Sequence, residues 1–331
     1  MNKDKPMTAT PAQKRRPGLA GHMNELSLLA AILVLYAVFG FTATGFLSFN
    51  NQINILRDAA TIGIAAWAAT LIIIAGEIDV STGPMVAFIS VMLAYMLQWG
   101  VPTLPAFALA IVLGGLLGGV AGVLRAWFDV PSFVATLGLW SALRGAALFM
   151  TDALPVSIGR NPMVDALDRP FFGLPPAVIL MLVLFVVFLF ISRKTAFGRS
   201  VYAVGGNAHA AFLAGINVAR IRIMVFVIGG AMAAISGILL LSRLGSGNAT
   251  AASGLEFDVI AAVVVGGTAL SGGRGSMVGT LLGVLVITLI GNGLILLGIN
   301  PFIQQVVRGV IIVVAVLANI QAIKRSGAQR G

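Results

Sequence analysis

Apolar runs of about 20 residues recur along this chain with only short polar connections between them, and no other feature constrains its fold as much. A run of that length spans the hydrocarbon core of a bilayer as a helix. Ten such segments stand at about 26–47, 59–75, 84–99, 105–124, 133–150, 176–192, 223–242, 257–271, 277–297 and 302–320. Charged residues make up 10% of the 331 positions, against roughly 25% in soluble domains. The expected fold is all-α: a polytopic helical bundle of about ten transmembrane spans, with broken or short helices. Outer-membrane barrels are excluded, because their strands alternate in character over only about 10 residues.

The charges orient the bundle. With the first span entering from the cytoplasm, fourteen basic residues fall on the inner side: five in the N-terminal tail, Arg125, five in the central loop and three near the C-terminus. Arg57, Arg160, Arg169 and Arg243 fall outside, with most of the acids: Asp58, Asp152, Asp165, Asp168, Glu256 and Asp258. Basic residues beside spans stay cytoplasmic. Both ends are therefore expected inside, and the net charge of +10 reads as membrane orientation rather than nucleic-acid binding. The expected organisation is a basic cytoplasmic tail (1–25), a transmembrane domain (26–322) and a second cytoplasmic tail (323–331). Within the domain lie a Pro-rich external loop (151–176) and a cytoplasmic loop (193–222). The first span is too long for the core of a secretory signal and is expected to be retained.

Enzymatic and metal chemistry find little footing. There is no cysteine, and the two histidines, His22 and His209, are far apart in sequence. No Gly-rich loop ending in Lys-Ser/Thr is present, so ATP hydrolysis, if transport needs it, belongs to another chain.

Three stretches carry the remaining signal. Residues 193–222, RKTAFGRSVYAVGGNAHAAFLAGINVARIR, hold Arg193, Lys194, Arg199, Arg220 and Arg222 and no acid. Gly205 and Gly206 break the chain there. Asn207 can cap a short helix over Ala208–Ala214, and Gly215 ends it. A short exposed helix on a basic loop suits a cytoplasmic partner. The second stretch, GEIDVSTGP, places Glu77, Asp79 and Ser81 beside an apolar run, where ionised groups must be paired, capped or wetted. Two readings stand: pathway groups that bind hydroxyls or exchange protons, or a helix break in which Asp79 or Ser81 caps the next helix. The third, GGTALSGGRGS, includes Gly266, Gly267, Thr268 and Ser271. It is either part of a translocation site or a cytoplasmic turn. The second and third stretches echo each other at an offset of 190 residues, which suggests that spans one to four repeat in parallel as spans seven to ten. Gly114, Gly115, Gly118, Gly119 and Gly122 read as a close-packing surface between helices.

These residues resemble the membrane subunit of ribose-type ABC sugar importers, the monosaccharide-transporter permeases. The resemblance rests on GEIDVSTG, on PSFVATLGLWSALRG (131–145), on TAFGRSVYAVGGN (195–207) with AGINVARIRI (214–223), and on AAVVVGGTALSGGRGSMVGTLLG (261–283). It implies a bacterial inner-membrane protein, buried in lipid, that builds one pathway with a second permease copy or paralogue. It also implies a periplasmic sugar-binding protein and a cytoplasmic ABC ATPase that docks on the 193–222 loop. The coupling residues it implies are Gly198, Arg199, Tyr202, Gly205, Gly206, Asn207, Gly215 and Ile216, with Ala210 and Ala211 on the same short helix. No cofactor is implied on this chain; ATP and Mg belong to the partner. Two departures stand out: the family usually has glycine where Glu77 stands, and commonly an acid where Ala208-His209 follow Gly-Asn. The runner-up is a proton-coupled secondary sugar carrier using Glu77 and Asp79.

Overall fold

The computed structural model describes residues 23–171 and 173–328; most of the expected N-terminal tail and the last three residues lie outside them. The chain forms α1 (Met23–Thr42), α2 (Phe49–Ile74), α3 (Thr82–Gln98), α4 (Thr103–Trp127), α5 (Ser132–Thr151), α6 (Pro162–Ala166) and α7 (Pro176–Lys194). It continues as α8 (Ala196–Gly206), α9 (Ala208–Leu213), α10 (Val218–Leu244), α11 (Leu255–Val265), α12 (Met277–Leu296) and α13 (Pro301–Ala328). Two short strands, β1 (Val156–Ser157) and β2 (Ser246–Gly247), pair antiparallel and tie the loop after α5 to the loop after α10. The fold is the expected all-α bundle.

Among the described residues, seven helices are long and apolar enough to cross a membrane: α1, α2, α4, α5, α7, α10 and α12. The shorter α3, the half-length α11 and α13 fall on the other three apolar segments. At about 1.5 Å per residue, the 11 residues of α11 reach only about half of a roughly 30 Å hydrocarbon core.

Hydrogen bonds between helix ends fix the alternation. Asn24, at the start of α1, donates to Gly266 O after α11. Gly273 N, ahead of α12, donates to Ile74 O at the end of α2, at 2.8 Å. The starts of α1 and α12 and the ends of α2 and α11 therefore share one end of the bundle. The opposite end carries the β1–β2 pair and the ion pairs Arg57–Asp168 and Arg243–Asp58.

Helix α2 is the axis of the packing. From Ala59 onward it is buried almost all round, while α1, α4 and α7 each turn a wholly aliphatic or aromatic face outward, as at Leu33, Leu116 and Val186. Such faces suit acyl chains. Polar pairs tie α2 to α12 at two heights, through the reciprocal Asn51–Asn292 amides at 2.9 Å and the Thr70–Thr280 hydroxyls at 2.8 Å. The glycine stripe is a packing surface as expected. Gly114, Gly118 and Gly122 meet the backbone of α10 at Gly230, Phe226 and Ile223, and added methyls there would collide.

The internal echo has a structural counterpart, in a different register. Helix α2 ends with Glu77 N on Ile72 O and Gly76 N on Ile73 O, with Gly76 left-handed (φ 83°). Helix α11 ends with Thr268 N on Val263 O and Gly267 N on Val264 O, with Gly267 left-handed (φ 90°). Both are Schellman caps, and they align Gly76 with Gly267 rather than with Gly266. The same cap recurs at Gly100 after α3 and Gly298 after α12. Correspondingly, α1 packs on α12 as α10 packs on α3. Sequence identity alone favoured the GG/GE match; the left-handed residue decides the register.

Candidate functional site

The loop of residues 193–222 folds as two helices, not one. Thr195 caps α8 by accepting from Gly198 N at 3.0 Å, and Asn207 caps α9 by accepting from Ala210 N at 2.9 Å. Gly215 (φ 82°) follows α9. Asn207 and Gly215 play the parts expected of them. Gly205 and Gly206 do not break the chain; they are the last turn of α8, and the break falls at Asn207.

The reason for glycine at 205 lies elsewhere. A methyl on Gly205 would collide with Ile74 O and lie 2.7 Å from Gly273 N; one on Gly272 would lie 2.9 Å from Gly76 Cα, and one on Gly273 2.8 Å from Gly206 Cα. Helix α8 thus touches, backbone to backbone, both helix breaks at the point where the Gly273–Ile74 hydrogen bond joins them. Tyr202 adds a second tie, donating to Gly275 O at 3.0 Å. Burial raises the Tyr202 pKa, with Arg193 opposing, so the phenol stays a donor at neutral pH. Gly198 is the other tight position, held against the carbonyls of Ile191 and Ser192. By contrast Arg199, Gly206, Asn207, Ala210 and Gly215 are exposed, Ile216 is half-buried and Ala211 is buried against the bundle.

The outward face of α9 carries two residues that sequence reasoning passed over. Phe212 is 65% and Leu213 72% exposed, beside a groove formed with Ala126, Ile216, Val218 and Arg222. In an Ala-rich segment they look like ordinary helix fillers; their exposure is set by the docking of Ala211.

The first break runs as extended chain along α5. Ile78 N donates to Ser132 Oγ at 3.1 Å and Val80 N to Thr136 Oγ1 at 3.3 Å. Two residues of strand advance about 6.6 Å and one helical turn of four residues about 6 Å, so hydroxyls spaced i, i+4 match alternate N–H groups. Chain after Gly76 is thereby solvated inside the bundle by its own protein. Asp79 Oδ1 accepts from Ser81 N at 2.8 Å and Ser81 Oγ at 2.6 Å. It forms a turn ahead of α3, where Ser81 is the N-cap residue without a side-chain cap bond.

Glu77, 3% exposed, lies between two guanidiniums: Arg125 Nε at 2.9 Å and Arg222 Nε at 2.7 Å. Arg125 ends α4 and Arg222 begins α10, so one carboxylate joins the first break to both helices and to the basic loop. In the second break, Thr268 is fully buried, Gly266 is pressed on Gly279 with no room for a methyl, and Gly267 and Ser271 are exposed. The pathway candidates 77, 79, 81 and 266–271 therefore gather at one end of the bundle and are mostly committed to bonds within it.

Glu256 and Asp258 correct the charge map. Instead of lying in an external loop they occupy the first turn of α11, at 2% and 8% exposure. Glu256 accepts from Trp140 Nε1 at 2.9 Å and packs into the notch left by Gly83. Arg144 donates to Ala249 O and Ala251 O, fixing the chain that leads into α11. The apolar run opening at Phe257 hid this, because the loop before it enters the bundle.

The family described as "Branched-chain amino acid transport system / permease component" matches residues 51–316. The chain is 70% identical over 305 residues to the probable ABC transporter permease protein YphD of Escherichia coli, covering 92% of each. It is 39% identical to the ribose import permease protein RbsC of Bacillus subtilis (92% of this chain, 95% of the relative). It is 34% identical to the L-arabinose ABC transporter permease protein AraH of Azospirillum brasilense (94% and 92%). No solved structure matches it. Ten apolar segments, paired helix breaks and a basic two-helix loop thus meet a family match over most of the chain, which belongs to the ABC-transporter permeases of the sugar-import family.

Proposed function

We propose that this chain is the transmembrane subunit of an ATP-driven importer of a monosaccharide or a related polyol. In this reading it sits in the bacterial inner membrane with both ends cytoplasmic and forms the pathway with a second copy or a paralogue. A periplasmic binding protein delivers the solute, and a cytoplasmic ATPase that holds ATP and Mg docks on α8–α9. One observation carries the coupling: α8 touches both helix breaks through Gly205, Gly272 and Gly273. Rigid backbone contact leaves no soft side chain to absorb a push on α8–α9. Movement imposed there reaches Ile74 at the end of α2 and the entrance to α12 together, and each end state is favoured by the partner contacts made in it. The proton-carrier alternative rests on Glu77 and Asp79; Glu77 is held by Arg125 and Arg222, and Asp79 Oδ1 is engaged by the backbone and hydroxyl of Ser81 in the turn before α3.

The test is affinity purification of the tagged chain from its native membranes. Co-purification of an ATPase with phosphate-binding loops is expected. A chain that comes out alone and still moves sugar down a proton gradient would end this reading.

A further inference from the structure

At the end of the bundle away from the coupling helices, α2, α10, α11, α12 and α13 line a partly open cavity of about 270 Å³. The Asp58–Arg243 ion pair stands in its lining, and the cavity reaches inward to Thr288, near the middle of α12. That volume equals about nine waters at about 30 Å³ each, enough for one pentose or hexose. Polar side chains from four helices share the lining: Thr61, Asp258, Thr288, Asn292 and Gln304. Within a span such groups are costly unless they face one another or a wetted cavity. Their convergence on one space is what singles it out.

The hydrogen-bond accounting gives the ligand chemistry. Thr288 donates its hydroxyl to Val284 O at 2.7 Å, Thr61 to Arg57 O at 3.3 Å, and Gln304 its amide to Ile299 O at 2.9 Å. Each of these groups has spent a donor on backbone. What they retain are hydroxyl lone pairs, the Gln304 amide carbonyl and its second N–H, and Arg243 brings guanidinium N–H donors to the same lining. A lining that offers both acceptors and donors suits hydroxyl groups, which do both, and the presence of both Asp58 and Arg243 disfavours a ligand with net charge of either sign. Apolar walls such as Ile62, Ile287 and Leu294 suit the C–H faces of a ring.

We propose that this cavity is a solute site within one chain, taking a single neutral polyhydroxylated molecule of monosaccharide size. It is separate from the coupling junction and complete without a second copy. The proposal leans on the import reading only for its choice of probes.

Gly291 supplies a clean test. It lies in the lining on α12, with ordinary helical backbone and nothing within 4 Å of an added Cβ, so a larger residue can fill the cavity without a clash at its first atom. The full chain, purified in detergent without ATPase or binding protein, is titrated with radiolabelled D-ribose, D-xylose, L-arabinose, D-galactose and ribitol. Saturable binding of at least one is expected, one molecule per chain. Gly291→Phe should abolish it, and Thr288→Val should weaken it about tenfold, with unchanged elution and melting temperature. Binding of none of the five, or binding that survives Gly291→Phe, overturns the site. So does a phospholipid retained in native mass spectrometry by the wild type and lost from Gly291→Phe. Uptake driven by ATP in cells alongside absent binding removes this site and leaves the importer reading standing; binding with proton-driven uptake does the reverse.

Discussion

Glu77 in the first helix break lies 2.7 Å from Arg222 at the start of α10, and the same carboxylate receives Arg125 of α4. With Glu77 only 3% exposed and the two arginines about one-fifth exposed, removal of the acid strands two cations on a partly buried surface. Breaking a buried pair by removing one partner costs about 3–5 kcal/mol, and partial exposure of the arginines places Glu77→Gln toward the lower figure. Melting of the purified chain should fall accordingly, and Arg222→Gln should partly restore the Glu77→Gln variant in a double-mutant cycle. Strict additivity of the two substitutions would show that the pair carries no coupling.

Gly205 and Gly206 are neighbours with opposite surroundings. Gly205 has no room for a methyl against Ile74 O, whereas an added Cβ on Gly206 meets nothing within 4 Å. Gly205→Ala should therefore lower the amount of folded chain in the membrane, because the contact is backbone on backbone and cannot relax cheaply. Gly206→Ala should insert normally. Gly206→Trp should also insert, yet lose ATP-driven uptake, because its side chain would enter the space where the ATPase is proposed to dock. Immunoblots of membranes and uptake assays read the two effects separately. Equal behaviour of Gly205→Ala and Gly206→Ala would mean that the junction is not set by sterics.

The bundle was legible from composition and run length, because a hydrocarbon solvent leaves a helix little alternative. The Asn207 cap and the Gly215 terminator were legible for a similar reason: each is a local rule with a local cause. Residues whose role depends on distant chain were not. Nothing near Gly205 in sequence announces Ile74 or Gly273, and its glycine pair looked like a break because a helix interior normally disfavours glycine by about 1 kcal/mol. Glu77 was visible as a costly charge, but its partners Arg125 and Arg222 stand 48 and 145 positions away. Glu256 was misplaced because a loop that dips into the bundle has the same composition as one that stays outside.

Thr136 holds the first break from α5: its hydroxyl accepts from Val80 N at 3.3 Å while donating to Ser132 O of its own helix at 2.9 Å. Thr136→Val keeps the shape and removes the acceptor, leaving Val80 N buried without its partner. An orphaned buried donor costs about 1–3 kcal/mol. Thermal unfolding in detergent should show that loss, and Thr136→Ser, which keeps the hydroxyl, should show most of it recovered. Identical melting of the valine and serine variants would mean that the hydroxyl does not hold the extended chain.

Phe212 and Leu213 stand out from α9 at 65% and 72% exposure, and Phe212 lines a groove that also carries Arg222. Exposed apolar side chains rimmed by charge mark a contact surface. In the importer reading they enter a pocket on the ATPase, and buried aromatic anchors often contribute 2 kcal/mol or more, about thirtyfold in affinity. Phe212→Ser should thus reduce recovery of the ATPase with the tagged chain by at least about tenfold while the permease reaches the membrane in normal amount, since Phe212 packs little against its own bundle. Ala211→Ser is the control, because Ala211 is buried against the bundle and its substitution should act on folding first. Full ATPase recovery with Phe212→Ser would move the docking surface off α9.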